Sequence, residues 1–432
     1  MSEWKEKYLH EVVEVDPEQL DSFTDAAYSF FYIDISSVTP GNISFPSFPI
    51  KFQGSPSRAR KILRESDILM SSVRPNLKAF AQLKIKSKYN FIASTGFSVL
   101  RAKPDVDITF IFHTLFSKDL EKQIELLVAG TAYPAITSSA VRNLKIKLPS
   151  PSEQQQIAKI LSTADEVIEK TQAAIAKYKA IKQGMLHDLF TRGIDLNTNK
   201  LRPHYEDAPE LYKGSKLGMI PIEWHVKIFG KEVDLIHGHQ FRDFDFTEFG
   251  IPVVKIGQVK PENIDLTNCS FVRAGREEEF QNEIIRNGDV LMALTGATLG
   301  KACLVKGLNG IVLQNYRVGR FEPIIKENDI DKEFLYYLLI AGDLLRQIFN
   351  KVNTGAQGNI GKADFEKATL KKPPFEEQQR IAERLKAIDN KLQSEQSYLQ
   401  KMQSLKKGLM EDLLSGRKRV KVSEELVAQN EG

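Results

Sequence analysis

The phrase "EQQQIAKIL" runs from Glu153 to Leu161, and the closely similar phrase "EQQRIAERL" runs from Glu377 to Leu385. Three of the nine positions differ between the two phrases. A solenoid repeats every 20 to 50 residues or so, which is far shorter than the distance between these two phrases. The repeat therefore indicates a duplicated domain.

The match continues beyond the opening phrase without a gap, since Asp165 and Lys182 fall on Asp389 and Lys406. In both copies, apolar residues recur at steps of three and four over about five heptads, which is typical of a coiled-coil seam. The positions predicted to pair the helices are Ile157, Leu161, Ile168, Ile175, Met185, Leu189, Ile381, Leu385, Leu392, Leu399, Leu409 and Leu413.

Both copies are predicted to be single long helices. Ser150, Pro151 and Glu153 supply a cap, a first-turn proline and the acid of a capping box. The second helix begins after Pro373 and Pro374. About 40 helical residues span roughly 60 Å, and the apolar stripe of such a rod needs a partner.

The other copy is the favoured partner, although any long amphipathic helix would show a similar stripe. A parallel pair would place seam Lys182 opposite seam Lys406, and like charges in contact repel. We therefore predict an antiparallel pair.

A stretch of about 150 residues precedes each helix, and the chain's two tryptophans, Trp4 and Trp224, open these stretches. "SDILMSSVRPNLKAF" (66–80) and "GDVLMALTGATLGKA" (288–302) both predict a strand that runs into a turn. The predicted fold class is α+β: two mixed α/β domains, joined and spaced by two long helices that pair as an antiparallel coiled coil with pseudo-twofold symmetry. The predicted limits are 1–149 for the first domain, 150–192 for the first helix, 193–222 for an ordered linker, 223–372 for the second domain, 373–416 for the second helix and 417–432 for a charged tail that frays.

Composition excludes several classes of protein. The most apolar run, Phe334–Ala341, is less than half of the roughly 20 residues that a membrane helix needs, and the charged N-terminus does not fit a secretory signal. Cys269 and Cys303 lack metal-type spacing, so a reducing cytoplasm is the expected location. A net charge of +4 gives weak support to an anionic partner.

No catalytic or metal site is predicted. "TGATLGKA" (295–302) has three residues between its glycines and Ala302 after its lysine, whereas a phosphate loop needs four residues and Ser or Thr. "KKPPF" (371–375) is similar to the Asn-Pro-Pro-Phe loop of amino-methyltransferases but has Lys372 in place of the amide. "HGH" (237–239) has no cysteine or carboxylate spacing around it, so a surface loop is favoured over a metal site.

Nucleic-acid binding has better support. "AQLKIKSKYN" (81–90) alternates so that Lys84, Lys86 and Lys88 would share one face of a strand, either against phosphates or simply in solvent. The turns are rich in the residue types that read base edges, although several of these are expected to make turns or internal hydrogen bonds instead. The candidate DNA-binding residues are Arg58, Arg60, Arg74, Asn76, Lys78, Lys84, Lys86, Lys88, Tyr133, Thr295, Thr298, Lys301, Gln314, Asn315, Arg317, Gln357 and Asn359.

The order domain, helix, domain, helix resembles the DNA-specificity subunit of type I restriction-modification systems. The resemblance covers nearly the whole chain and is carried by "EQQQIAKIL", "KQGMLHDLFTRGI", "APELYKGSKLGMIPIEW", "EQQRIAERL" and "KKGLMEDLLSG". It implies that each domain is a target-recognition domain for one half of a bipartite sequence in double-stranded DNA. It also implies that the helices set the gap and dock two modification (methyltransferase) subunits.

The resemblance further implies a non-catalytic chain without cofactors of its own, because S-adenosylmethionine, ATP and Mg²⁺ would be bound by the modification subunits and the restriction or translocase subunits. The main alternative is a coiled-coil scaffold whose globular ends bind proteins. A self-sufficient methyltransferase or nuclease is disfavoured, because the motifs for its cofactors are absent from the sequence.

Overall fold

The structure is a computed structural model that describes residues 4–129, 134–261, 263–325, 327–349 and 359–421. The chain forms two compact units, residues 1–173 with 397–432 (unit 1) and residues 174–396 (unit 2). Each unit therefore combines a globular domain with parts of both long helices.

Unit 1 is built on two four-stranded mixed or antiparallel sheets with helices packed beside them. Its strands are β1 (Lys5–Tyr8), β2 (Val13–Val15), β3 (Ser29–Ile33), β4 (Val38–Thr39), β5 (Asn42–Ile43), β6 (Ile50–Lys51), β7 (Ala59–Leu63), β8 (Ile68–Ser71), β9 (Phe80–Gln82), β10 (Phe91–Ser94), β11 (Phe97–Ala102) and β12 (Lys145–Leu148). Its helices are α1 (Leu9–Val12), α2 (Ile108–Thr114), α3 (Lys118–Val128), α4 (Ser138–Arg142) and the first part of α5 (Pro151–Thr191).

Unit 2 repeats this plan after two short hairpins. Its strands are β13 (Ile194–Asp195), β14 (Lys200–Leu201), β15 (Tyr212–Ser215), β16 (Gly218–Pro221), β17 (His225–Ile228), β18 (Val233–His237), β19 (Phe246–Thr247), β20 (Ile251–Val254), β21 (Ser270–Val272), β22 (Val290–Ala293), β23 (Ala302–Leu304), β24 (Leu313–Gln314), β25 (Val318–Pro323) and β26 (Thr369–Lys372). Its helices are α6 (Phe229–Glu232), α7 (Lys332–Ile340), α8 (Asp343–Phe349), α9 (Lys362–Glu366) and the first part of α10 (Phe375–Leu413).

The sheet orders show that the two units share one topology. The sheet β2-β11-β8-β9 of unit 1 corresponds to β18-β25-β22-β23 of unit 2, and the pair β1-β12 corresponds to β17-β26. Each second sheet also contains one parallel pair, β3 with β10 in unit 1 and β20 with β24 in unit 2. The predicted α+β class with two related domains is confirmed.

The long helices are 41 and 39 residues long, as predicted. Ser150 caps the first one, because its hydroxyl accepts from the Glu153 amide at 3.4 Å. Their ends complete the cores of the domains: Ile157 and Leu161 pack with Leu413 in unit 1. In unit 2 the same kind of cluster holds Leu189 with Ile381 and Leu385, among other residues.

Within each unit, the two helix segments run antiparallel. In unit 1 Asp165 pairs with Lys406, and in unit 2 Lys182 pairs with Asp389 at 2.6 Å. The two ion pairs are equivalent, because Asp165 matches Asp389 and Lys182 matches Lys406 in the repeat. The antiparallel prediction is therefore confirmed, and the seam lysines face carboxylates rather than each other.

The linker is ordered and the start of the tail is not frayed, contrary to our expectation for the tail. Arg419 donates two hydrogen bonds to Glu153, at 2.7 and 2.8 Å, and lies 5.6 Å from the Trp4 ring. In unit 2, linker residue Arg202 binds Glu377 in the same bidentate manner, at 2.6 and 3.1 Å. Tail and linker thus perform the same structural task, each holding the first turn of one long helix.

Candidate nucleic-acid interface

The first candidate turn follows β8 and contains two residues with left-handed backbone. Arg74 (φ 48°) and Lys78 (φ 52°) flank a 3₁₀ turn at Pro75–Leu77. The Arg74 amide donates to the Pro134 carbonyl at 2.7 Å, which fixes the turn against a second loop. Arg74 and Asn76 are exposed to solvent at this edge of the unit.

A third loop joins the same edge through backbone hydrogen bonds. The Thr95 amide donates to the Arg58 carbonyl at 2.8 Å, and the Ser72 amide donates to the Gly96 carbonyl at 2.9 Å. Arg58 is exposed. The structure thus brings Arg58 into the same connected set of loops as the turn that carries Arg74.

A buried carboxylate closes the turn before the strand that leads to each candidate turn, β8 in unit 1 and β22 in unit 2. Asp67 accepts from the Arg64 amide at 2.8 Å, and Asp289 accepts from the Arg286 amide at 2.8 Å. Because Arg64 and Arg101 donate hydrogen bonds to Glu18 nearby, the pKa of that carboxyl falls to about 2. The pattern "D-[IV]-L-M", shared by Asp67–Met70 and Asp289–Met292, therefore begins with a carboxylate that has a structural role.

The second turn is similar to the first and has glycines at the two positions with positive φ. When the two "D-[IV]-L-M" sequences are aligned, Gly296 (φ 73°) and Gly300 (φ 79°) fall on Arg74 and Lys78. A bridge between Thr295 and Asn359 matches the bridge between Val73 and Ala135. The turn borders an open depression of about 450 Å³, lined by His237, Ile256, Leu294, Thr295, Gly296, Tyr316, Arg317, Asn359, Ile360 and Gly361.

Arg317 is the cation of this depression and is held by its neighbour. Its Nε donates to the Tyr316 hydroxyl at 2.6 Å, and its guanidinium lies 5.2 Å from the Tyr316 ring. His237 Nδ1 lies 3.1 Å from the Tyr316 carbonyl, which can only accept, so this nitrogen carries the proton. The outer edge of the guanidinium is left to face the depression. The "HGH" loop (237–239) therefore contacts and supports Tyr316. Among the described residues there is no cluster of three potential metal ligands.

Three of the candidate residues in unit 2 point inward instead. Gln314 is fully buried and its amide donates to two backbone carbonyls, while Asn315 accepts from the Arg317 amide at 3.3 Å. The Thr298 hydroxyl donates to the Ile256 carbonyl at 3.2 Å. These side chains make internal hydrogen bonds to the backbone, as the sequence analysis expects for several of the candidates.

The prediction that Lys84, Lys86 and Lys88 lie on one strand is wrong, because β9 ends at Gln82 and residues 83–90 form no strand. Leu83 is buried whereas Ile85 is exposed, so the segment has no continuous apolar face to hold it on a sheet. Lys84, Lys86 and Lys88 are exposed, and Lys86 pairs with Glu65 at 2.9 Å.

The remaining described candidates make other contacts or line another cavity. Arg60 donates to the Ala59 carbonyl and stacks on Phe52. Lys78 pairs with Glu121 at 2.8 Å, and Lys301 lines a different cavity together with Lys179 and Lys182. Tyr133 and Gln357 lie outside the described residues.

The predicted pairing residues differ in their burial. Among those in neither of the two core clusters, Ile175 and Leu392 are buried, whereas Ile168 and Leu399 are only partly buried. Sequence reasoning missed the polar contacts that fix the domains on the helices. In unit 2 the Tyr337 hydroxyl donates to Asp389 at 2.9 Å, and in unit 1 His113 lies 3.8 Å from Asp165. The available signal was that His113 and Tyr337 are separated by the same interval as the two helix aspartates that they contact.

Comparison with known proteins agrees with this architecture. The family model described as the type I restriction modification DNA specificity domain matches residues 1–178 and 241–403. The chain is 30% identical over 363 residues to the specificity subunit of the type I restriction enzyme MjaVIII of Methanocaldococcus jannaschii, covering 83% of this chain and 81% of that protein.

Two solved structures share the fold. One is the S subunit of a type I restriction-modification system from M. genitalium, with a TM-score of 0.58, 16% identity and coverage of 95% and 96% of the two chains. The other belongs to a study of complex assembly and conformational transition of the type I system, with a TM-score of 0.57, 23% identity and coverage of 96% and 98%. Among the described residues, no helix is long and apolar enough to cross a membrane.

Proposed function

The chain belongs to the family of type I restriction-modification DNA specificity subunits, and from this premise we propose that each unit reads one half of a bipartite, asymmetric DNA target. The observation that carries the proposal is one backbone frame with exchanged side chains. Arg74 stands in unit 1 where Gly296 stands in unit 2. Arg317 stands in unit 2 where Gly96 stands in unit 1, as the matching bonds from Leu294 and Ser72 show.

The exposed side chains at the two edges suit base recognition. Arginine binds the O6 and N7 atoms of guanine in a bidentate manner, and asparagine does the same at N6 and N7 of adenine. Unit 1 offers Arg58, Arg74 and Asn76 for this role, and unit 2 offers Arg317 and Asn359. Because these sets differ in position and type, two different half-sites are expected.

We propose that the paired helices set the gap between the half-sites and dock two modification subunits. The reciprocal ion pairs support this, because they give the two helix segments of each unit near-equivalent surroundings. The equivalent surfaces would bind identical partners in a pseudo-twofold manner.

Methyl transfer, ATP hydrolysis and cleavage would belong to the partner chains, which would bind S-adenosylmethionine, ATP and Mg²⁺. Double-stranded DNA and the restriction or translocase subunits of the complex are the other proposed partners. A cytoplasmic location fits the free thiols of Cys269 and Cys303.

The test is to map methylated adenines genome-wide in cells that carry the modification subunit with or without this chain. One interrupted asymmetric motif that depends on the chain is expected. Methylation that does not depend on the chain would contradict the proposal. A gel-shift assay of the assembled complex with competitor DNA separates it from the scaffold alternative, since a scaffold would show no sequence preference.

A further inference from the structure

Two phenylalanine side chains on equivalent loops are almost entirely exposed to solvent. Phe23 in unit 1 is 93% exposed, and Phe244 in unit 2 is 79% exposed. The segments Gln19–Phe23 and Gln240–Phe244 share a pattern of glutamine, a large apolar residue, two variable residues and phenylalanine. Single exposed apolar residues are common on protein surfaces, but the same ring at the same place in two otherwise different loops calls for a shared task.

Both rings are held outward by an anchored loop. Leu20 and Phe241, three residues before each ring, are buried in the apolar cores of their own units. The Phe23 amide donates to Asp21 at 2.9 Å, and the Arg242 amide donates to Asp245 at 2.9 Å. The exposed rings therefore project from short, hydrogen-bonded turns.

The sequence close to each ring holds more acidic than basic residues. Asp21 and Asp25 beside Phe23 are exposed, whereas the preceding carboxylates Asp16 and Glu18 are paired with Lys61, Arg64 and Arg101. In unit 2, Asp243 and Glu248 are exposed close to Phe244 in the sequence, as is Arg242, while Asp245 lies 3.7 Å from Arg276. Carboxylates repel the phosphate backbone, so these rings suit a basic protein surface with an apolar pocket rather than DNA.

Both loops lie beside the candidate DNA-reading edges. The Leu20 amide donates to the Arg60 carbonyl at 2.7 Å, two residues from Arg58. In unit 2 the Tyr316 amide donates to the His239 carbonyl at 2.9 Å, five residues before Phe244. A protein bound to either ring would therefore stand next to one half-site.

We propose that Phe23 and Phe244 anchor two equivalent docking surfaces, one in each recognition unit, for a lysine- or arginine-rimmed apolar pocket on the modification subunit. The inference rests on the proposed function, under which a methyltransferase must reach a base at each half-site. The rings would hold it there, in addition to any contact with the long helices.

The test uses the full-length chain with Phe23→Ala, Phe244→Ala or both, titrated with purified modification subunit. Each single variant is expected to weaken one of the two binding steps at least tenfold, as truncation of an aromatic anchor commonly does, and the double variant is expected to weaken both. Phe48→Ala and Phe249→Ala are matched controls, since these rings are 80% and 76% exposed. When the two units are aligned with Phe23 on Phe244, neither control ring has an exposed aromatic residue at the matching position of the other unit. They should bind as the unaltered chain does.

Asp243→Lys provides an independent variant that should weaken the same step as Phe244→Ala. Unchanged binding of the modification subunit by the double phenylalanine variant would overturn the proposal. Normal subunit binding with weaker binding of one DNA half-site would also overturn it, because the ring would then contact DNA. Failure of the proposed function would be seen separately, as an unaltered complex that binds no specific sequence.

Discussion

Replacing Arg74 by glycine should separate the fold of unit 1 from its recognition of DNA. The φ angle of Arg74 is 48°, a conformation that costs an L-residue about 1 to 2 kcal/mol. Glycine removes that cost but loses about 0.5 to 1 kcal/mol more backbone entropy on folding. The net change in the free energy of unfolding is therefore expected to lie between about 0 and 1.5 kcal/mol, in the stabilising direction.

Binding to DNA should change in the opposite direction. The loss of a bidentate contact to guanine costs about 1 to 3 kcal/mol, which corresponds to roughly a 5- to 150-fold lower affinity. The assay titrates the assembled complex with three duplexes: the full target, a target altered in the first half-site and a target altered in the second. Affinity should fall for the full target and for the target altered in the second half-site, but not for the target altered in the first.

Lys78→Gly is the matched control, because Lys78 has the same backbone conformation (φ 52°) but its ammonium group is paired with Glu121. It should leave the half-site preference intact. Equal loss of affinity on all three duplexes would show that Arg74 contacts phosphate. A fall of more than about 1 kcal/mol in the free energy of unfolding would refute the reasoning, because the side chain would then be structural.

Three further predictions address the helices and the domain contacts. Burial lowers the pKa of His113 to about 4. Below pH 6.5 the unfolded chain therefore takes up a proton that the folded chain does not. Up to about 3 kcal/mol of stability is lost between pH 6.5 and 4 as a result. Unfolding titrations should show that His113→Gln removes this component of the pH dependence. One heptad could be inserted after Ala173 in α5 and another after Ser397, the equivalent point of α10. The insertion adds about 10 Å of helix, which at about 3.4 Å per base pair should widen the recognised gap by about three base pairs. An unchanged methylation motif would contradict this. A chain ending at Ser215 should form a symmetric dimer in sedimentation, with Lys182 of a second copy replacing Lys406 at Asp165, and should direct methylation to an interrupted palindrome.

Much of the fold could be predicted because its signals are local. A repeated stripe and a capping box defined α5, and a strand followed by Pro75 or by glycines defined the two turns. The backbone of each turn follows from residues within it, so neighbouring residues in the sequence carry the information.

The sites were harder to predict because the type of a residue does not determine whether its side chain points into the protein or toward solvent. Gln314 has the chemistry to read adenine, but its amide lies between the carbonyls of Ile236 and Val318, one of them 78 residues away. Lys84, Lys86 and Lys88 alternate like a strand, yet residues 83–90 lie in no strand. The contact of Arg419 with Glu153 spans 266 residues, beyond any local pattern.

The similarity of the two helices at their contact positions follows from the way in which each unit is completed. Unit 1 needs residues 397–432 from the end of the chain, and unit 2 needs the second half of α5. Asp165 and Lys182 on α5 therefore form ion pairs with Lys406 and Asp389 on α10, respectively. One aspartate and one lysine on each helix supply the ion pairs of both units. A change in one helix alone breaks a contact in one unit and leaves the equivalent contact in the other. The loops that carry Arg74 and Arg317 make no such reciprocal contacts among the described residues, so they are free to differ, and that freedom allows one duplicated scaffold to read two unlike half-sites.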